Sequence, residues 1–381
     1  MRQISLCVLS ALVLTSWPTA SWAAPIFLGL GAPAGGASSS SAIGVSDDGS
    51  VVVGQVASFD NTSQPFRWQN GVMTGLGWLP GAGTSPNGFA RGVSADGSVV
   101  VGATNSAIAP TPPINSNHEP FRWQNGVVTG LGFLSIGASV PVGDATGVSA
   151  DGSVIVGSSS TADGPLHAYR WQNGSMVDLG VLAGAVESQV WGVSANGAVI
   201  VGESSSSGMQ EAFRWENGVM TGLGFLEGGS DSRAYGVSAD GLATVGVSNL
   251  EAFLSMDGVM IGLGVLDGSF DSTAYAASDD GAIVVGASGE FFTPSAFVWD
   301  SVNGMRNLQQ VLSTTYGLAG QLAGWHLQGA RDISPDGRAI VGYGTNPAGM
   351  QEAWLAIIPE PSTGLLFALG VGGLAARRHG S

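Results

Sequence analysis

The sequence predicts an all-β protein, a seven-bladed β-propeller of four-stranded blades. Three observations carry that prediction: a glycine-rich, charge-poor composition, two short elements that recur along the chain, and terminal pieces that complete one another. Of 381 residues, 61 are glycine and only 10% are charged. Such a balance suits strands joined by tight turns rather than helices.

The first repeated element reads Gly-Val-Ser-Ala-Asp-Gly-Ser-Val-Val-Val-Gly and occupies 44–54, 92–102, 147–157, 192–202 and 236–246, with weaker copies at 276–286 and 331–342. A second element reads Phe-Arg-Trp-Gln-Asn-Gly-Val-Met-Thr-Gly-Leu-Gly. It starts at Phe66, Phe121, Tyr169 and Phe213, with looser copies from Phe253, Phe297 and Trp354. The turn glycine of the first element recurs at 49, 97, 152, 197, 241, 281 and 337, a spacing of 40 to 56 residues.

Each unit parses into four strands. Gly-Val-Ser is the first, and Asp-Gly reads as a two-residue hairpin turn with positive φ. Val-Val-Val-Gly is the second, a β-branched run expected where both faces are buried. Phe-Arg-Trp is the third, Asn-Gly a further hairpin turn, and Met-Thr-Gly-Leu-Gly the fourth. Four antiparallel strands at this period describe a propeller blade. The competing architecture, a β-solenoid, needs shorter rungs. The seventh unit stops after Trp354-Leu355-Ala356 without its fourth strand, while Phe27–Gly31 near the start is a fourth strand without a unit. Pairing them closes the ring and removes both exposed sheet edges.

The two ends read as addresses. Arg2, an apolar stretch from Ile4 to Trp17 and the small residues Ser21 and Ala23 form a secretory signal with cleavage after Ala23. Cys7 lies inside it, so the chain beyond has no disulfide, thiol nucleophile or cysteine ligand. At the other end Pro359-Glu360-Pro361 precedes an apolar run over 363–376 and then Arg377-Arg378. The run is short for a bilayer, which takes roughly 20 residues, and the arginine pair would stay cytoplasmic. This order of parts resembles the PEP-CTERM sorting signal of Gram-negative bacteria. The resemblance implies an exosortase as partner, transient inner-membrane anchoring by a short transmembrane helix, and a cell-surface or extracellular protein after loss of the tail. The expected domains are therefore 1–23 (signal peptide), 24–358 (propeller) and 359–381 (sorting signal). The paired repeat motifs, with Gly-Trp-His-Leu at 324–327 and Gly-Tyr-Gly-Thr-Asn-Pro at 342–347, resemble the HAF family of extracellular repeats. That resemblance implies an extracellular location and no defined chemistry.

All 12 basic residues are arginine, against 28 acids. The negative charge argues against nucleic acid and anionic lipid, both of which need Lys or Arg to neutralise phosphate. Candidate chemistry is sparse. His118, His167, His326 and His379 show no zinc-ligand spacing, and no phosphate-loop, dinucleotide or nucleophile-elbow motif occurs. The Asp-Gly acids Asp48, Asp96, Asp151, Asp240, Asp280 and Asp336 repeat too regularly for catalysis, and Asn196 fills the same place in the fourth unit. Asp267–Asp271 and Glu227–Asp231 are the candidate calcium loops, without the ligand spacing of an EF-hand. No catalytic, cofactor-binding or metal residue is assigned. The arginines of Phe-Arg-Trp (Arg67, Arg122, Arg170, Arg214) are expected to pair with acids between blades, and Trp123 and Trp215 to sit in the core.

Loops that vary in length are where a rigid scaffold carries function. Phe59, Trp78, Phe89, Trp191, Tyr235, Phe270 and Phe292 are read as loop aromatics, with Phe59, Trp78, Trp191 and Tyr235 the candidate ligand face. The leading expectation is an exported binding or structural module, not an enzyme, associating with extracellular polysaccharide. The link to polysaccharide comes from the exosortase resemblance. The alternative is a propeller hydrolase or lyase acting on carbohydrate, which would need two unlike carboxylates near the central channel.

Overall fold

A computed structural model describes residues 24–31, 38–60, 62–83, 86–107, 118–135, 141–206, 208–289 and 293–359. The expected signal peptide, Glu360, Pro361, the apolar tail with Arg377-Arg378, and Phe292 lie outside the described residues. The described chain forms seven four-stranded antiparallel sheets arranged as a seven-bladed propeller. Blades 1 to 6 span 39–75, 88–130, 143–178, 187–222, 232–262 and 272–307, each with its strands in chain order from the channel outward. Blade 7 takes its three inner strands from 326–357 and its outermost strand, Ile26–Gly29, from the start of the described chain. Ile26 pairs with Ile357 and Gly29 with Trp354, so the expected closure is present.

The second strand of each blade is buried along both faces, as its valine runs require. Its glycine serves the packing. A Cβ on Gly202 would collide with the Gln189 carbonyl oxygen and crowd the Phe213 ring, and Gly54 meets Ser41 and Phe66 in the same way. The aromatic in the middle of the third strand fills that space: Phe66, Phe121, Tyr169, Phe213, Phe253, Phe297 and Trp354 are all fully buried. Trp123 and Trp215, two residues further on, are half-buried and pack against the edge of the core, where the equivalent Trp68 is buried, while the phenylalanine holds the centre. Two residues along a strand share a face but lie progressively nearer its end, here the exposed turn.

The two kinds of turn differ. Asn70-Gly71, Asn125-Gly126, Asn173-Gly174, Asn217-Gly218 and Asp257-Gly258 have positive φ at both residues, which is the expected type I′ hairpin. The Asp-Gly turns are longer than the two residues expected. Only the glycine has positive φ, and Gly49 N donates to Ser46 O across a four-residue turn. The Asp48 carboxylate accepts from Ser46 Oγ (2.8 Å) and Ser50 N (2.9 Å). Asn196 makes the same two bonds with Ser194 and Ala198.

Blades are stitched together at two levels. On the face carrying the tight turns, backbone N–H groups donate around the ring: Asp47 to Ala95 O, Ala95 to Ala150 O, Ala150 to Ala195 O, Ala195 to Ala239 O, and Asp279 to Pro335 O. Pro335 has no N–H with which to continue. At that seam, between blades 7 and 1, Asp332 stands where most blades carry glycine, and its Oδ2 accepts from Val45 N (2.9 Å). Nearer the opposite face a serine joins neighbouring blades. Ser188 Oγ accepts from Ala168 N (2.9 Å) and donates to Gly180 O (2.6 Å). Ser232, Ser272 and Ser40 repeat the pattern with Ala212, Ala252 and Ala353. One element has no counterpart among the repeats. The helix Leu308–Thr314, capped by Asn307, buries Leu308 and Leu312 in the cluster that also holds Phe27, Leu318 and Leu322.

Candidate functional site

In each inner strand one residue just before the Gly-Val-Ser position drops out of register with the second strand, a β-bulge that places it on the channel wall; blade 7 has a further shift between Leu327 and Gly329. The bulged residues are Ile43, Arg91, Thr146, Trp191, Tyr235, Tyr275 and Arg331. They occupy the position before Gly-Val-Ser, flanked on its other side by Ala or Val. The flanking positions nearly repeat, with Ala or Val before and Gly in five of seven blades after, whereas these seven residues comprise five chemical types. Together they line the central channel.

The ring is held by stacking. Arg91 reaches past the small Thr146 to lie 5.4 Å from the Trp191 ring centroid, and also covers Phe89 at 4.7 Å. Trp191 meets Tyr235 edge-on at 5.6 Å, and Tyr235 lies 5.7 Å from Tyr275. Arg331 sits over Tyr275 at 4.2 Å and Tyr343 at 5.2 Å. The result is a continuous arc of aromatic rings with a guanidinium at each end. Cation–π contacts contribute about 0.5–2 kcal/mol each, more where water is excluded.

This ring lies between two cavities. On the turn side a cavity of 480 Å³ continues past a collar of Val45, Val93, Val148, Val193, Val237, Ala277 and Ile333 toward Asp47 and Pro335. On the loop side a cavity of 720 Å³ is bounded by Ser41, Gln55, Ser63, Asn87, Phe89, His118, Tyr343 and Gln351. Ile43, Arg91 and Arg331 border both. Of the described residues lining the loop-side cavity, none is a carboxylate.

The acids near the ring are buried to differing degrees and differ in their partners. Glu203 pairs with Arg233 at 2.8 Å, and burial raises its pKa against the pull of that arginine. Asp144 stands 4.0 Å from Arg91, and burial raises its pKa too. Asp332 is pushed by burial to about 7 despite its backbone hydrogen bonds. Asp47 is also raised, first by burial and then by Asp336, Asp48 and Asp279. His118 is lowered by burial and by Arg91, which favours the neutral ring. Further out, Glu211 accepts from Gly224 N (3.1 Å), Glu251 from Gly264 N (2.9 Å) and Glu352 from Gly31 N (2.9 Å), a repeated structural clamp.

The aromatics expected on loops divide into two groups. Trp191 and Tyr235 are not on loops; they stand on inner strands, because those strands begin several residues before Gly-Val-Ser. Phe89 likewise lies on an inner strand. Phe59 and Phe270 are exposed. Trp78 anchors its loop by donating from Nε1 to Ser63 O at 2.8 Å. The arginines of the third strands also differ from expectation. Arg67 donates to the Gly97 carbonyl of the next blade and to Gln69, and Arg170 to Gln172. Among the described residues only Arg214 of the four meets an acid, Glu216 of its own strand, and it reaches the next blade through Gly241 O. The turn carbonyl is the nearer acceptor between blades, so no interblade acid is required. Alignment of the seven copies on Gly-Val-Ser, with attention to the residue before it, is the pattern that reveals the ring.

No family model and no curated protein matches the chain. Among solved structures it resembles TolB from Acinetobacter baumannii (14% identity, TM-score 0.46, covering 67% of this chain and 62% of that one). A putative TolB from Agrobacterium tumefaciens is 16% identical over 85% of this chain and 100% of that one, with a TM-score of 0.46. A prolyl endopeptidase structure is 11% identical with a TM-score of 0.51, over 84% of this chain and 50% of that one. The chain thus spans less than two thirds of the first and third of these. At such identities the likeness is one of fold.

Proposed function

We propose that this chain is an exported surface or extracellular binding protein whose ligand site is the loop-side mouth of the propeller channel. The observation that carries the reading is the bulge ring: one channel-lining position per blade, filled by five different residue types in seven blades. A purely structural role would be served by nearly one residue type, as it is at the turns (six Asp and one Asn) and at the core aromatic (five Phe, one Tyr and one Trp). The loop-side cavity has the size usual for small-ligand sites, roughly 300–1,000 Å³. A retaining or inverting glycosidase needs a pair of carboxylates facing the substrate, and the described lining of the loop-side cavity offers none. The channel itself carries two, Asp47 and Asp332, at its turn end, where Asp332 accepts from the backbone N–H groups of Val45 and Ile333; that engagement supports binding over hydrolysis.

Orientation supports a surface role. Ile26 and Ile357 pair at the end of blade 7 that carries the tight turns, so the described chain enters and leaves on the turn face. A sorting tail beyond Pro359 that tethered the protein to a membrane would point the loop-side cavity outward. The polysaccharide partner suggested by the resemblance to exosortase-sorted proteins fits a site facing the extracellular matrix.

The test is a glycan-array and calorimetric screen of the purified chain with cavity and loop variants. Phe89→Ala or Tyr343→Ala should weaken the binding found, because both rings line the loop-side cavity, while Phe59→Ala, exposed and outside that lining, should leave it unchanged. Binding lost with Phe59→Ala and kept in both cavity variants would move the site off the channel. Release of reducing ends from a bound glycan would replace the binding reading with an enzymatic one.

A further inference from the structure

The loop-side cavity has a charge opposite to that of the protein around it. The chain carries 28 acids against 12 arginines and a formal net charge of −16, so an arginine has acids to choose from. Arg331 nevertheless makes no ion pair among the described residues; it lies over the rings of Tyr275 and Tyr343 and also reaches the Tyr275 hydroxyl. Among the described residues Arg91 has only Asp144, at 4.0 Å, beyond hydrogen-bond reach. Stacking fixes a guanidinium by its faces and leaves its in-plane N–H groups to other partners.

Two nitrogens on this wall are unsatisfied. Arg91 Nε and His118 Nε2 are buried with no hydrogen-bond partner among the described residues. Orphaned buried donors are rare because each costs about 1–3 kcal/mol. Both belong to side chains lining the same cavity, and Phe89 holds them together, edge-to-face with His118 at 5.4 Å and beneath Arg91. The rest of the lining is amide and hydroxyl, from Gln55, Gln351 and Ser41, suited to sugar hydroxyls.

We propose that the loop-side cavity is a carboxylate site that takes a uronic acid, its carboxylate between Arg91 and Arg331 and its hydroxyls toward the amide wall. The inference rests on the binding reading above and adds the chemical class. Arginine and carboxylate form paired, charge-assisted hydrogen bonds, and Ile43 separates the two arginines around the ring. A free sugar acid and a uronate unit within a polysaccharide share this chemistry.

Calorimetry with glucuronate, glucose and a short oligouronate tests it on the purified chain. Glucuronate should bind at least tenfold more tightly than glucose, from which it differs at the C6 carboxylate. Arg91→Gln and Arg331→Gln should each lower glucuronate affinity tenfold or more, with thermal melts showing that both variants fold. An oligouronate bound more tightly than glucuronate identifies the polysaccharide as the source, and equal affinities identify the free acid. A second readout needs no variant. Glucuronate, but not glucose, should raise the pKa of His118 measured by NMR, because a nearby anion favours the imidazolium. Equal affinity for glucose and glucuronate, or unchanged affinity in both arginine variants, would overturn the carboxylate assignment while leaving the channel as a binding site. No binding of glucuronate or oligouronate overturns it outright.

Discussion

Asp48, Asp96, Asp151, Asp240, Asp280 and Asp336 hold equivalent turns, and each carboxylate accepts from a serine hydroxyl two residues earlier and a backbone N–H two residues later. Both bonds end on one oxygen, Oδ1, which an asparagine also has, and Asn196 uses it in the same way. Asp96→Asn should therefore change stability by no more than about 0.5 kcal/mol, and an urea melt showing a loss of several kcal/mol would refute the turn role. The third-strand aromatics provide the contrast. Phe121 is fully buried beside Gly102, so Phe121→Ala should cost roughly 3–5 kcal/mol. Trp123→Ala removes a half-buried ring and should cost roughly 1–2 kcal/mol. Equal losses would mean that the tryptophan is as much core as the phenylalanine. At this scale the repeats were legible in kind and partly wrong in depth. Periodicity identifies which residues share a face but not how close the strand end and its solvent lie.

Between elements, the serine clamp shows why two blades carry proline. In blades 3, 4, 5 and 7 the residue before the core aromatic is Ala168, Ala212, Ala252 or Ala353, whose N–H needs an acceptor, and a serine of the next inner strand supplies it. In blades 1 and 2 that residue is Pro65 or Pro120, which has no N–H, and the next blade places Gly88 or Gly143 against the proline ring. Alanine with serine and proline with glycine are two solutions to one seam. Ala212→Pro alone should leave Ser232 without its donor and crowd its side chain, and Ser232→Gly alone should strand the Ala212 N–H. Each should destabilise by about 1–3 kcal/mol. The double variant should be more stable than the sum of the two predicts, a coupling measurable by a denaturation cycle. Strict additivity would refute the pairing. The correlation is readable in the sequence once the blades are in register, but its meaning needs the seam, because the paired residues are 20 or more positions apart. The helix Leu308–Thr314 was missed for the opposite reason. It occurs once, and its asparagine cap with Leu308 and Leu312 four apart is a local signal that the repeats outweigh.

The closed ring was legible as a whole because an unfinished last unit and an orphan first strand can only be reconciled by pairing. The channel was not, since no local pattern announces that Ile43, Arg91, Thr146, Trp191, Tyr235, Tyr275 and Arg331 converge; the bulge that aims them is a property of the paired strands. The same holds for the seam where the ring shuts. Asp332 looks like a decayed glycine in the weakest copy of the motif, yet it accepts from Val45 N of blade 1 and from Ile333 N, beside the proline that interrupts the ring of backbone bonds. Burial raises this carboxyl to about 7 in the folded protein, whereas in the unfolded chain it ionises near 3.9. The folded state thus holds a proton that the unfolded state has released, and stability must fall as pH rises through that interval. The contribution is fully present below about pH 4, is lost on the way to about pH 7 and changes little beyond. Asp47, raised in the same direction, adds to the slope. Asp332→Asn keeps an acceptor oxygen for Val45 N and removes the ionisation. Across thermal melts from pH 5 to pH 8, the wild-type melting temperature should fall by more than that of Asp332→Asn, so the variant gains on the wild type as pH rises. Parallel profiles would show that Asp332 is ionised in the folded ring, with the closing seam carrying a full negative charge rather than a shared proton.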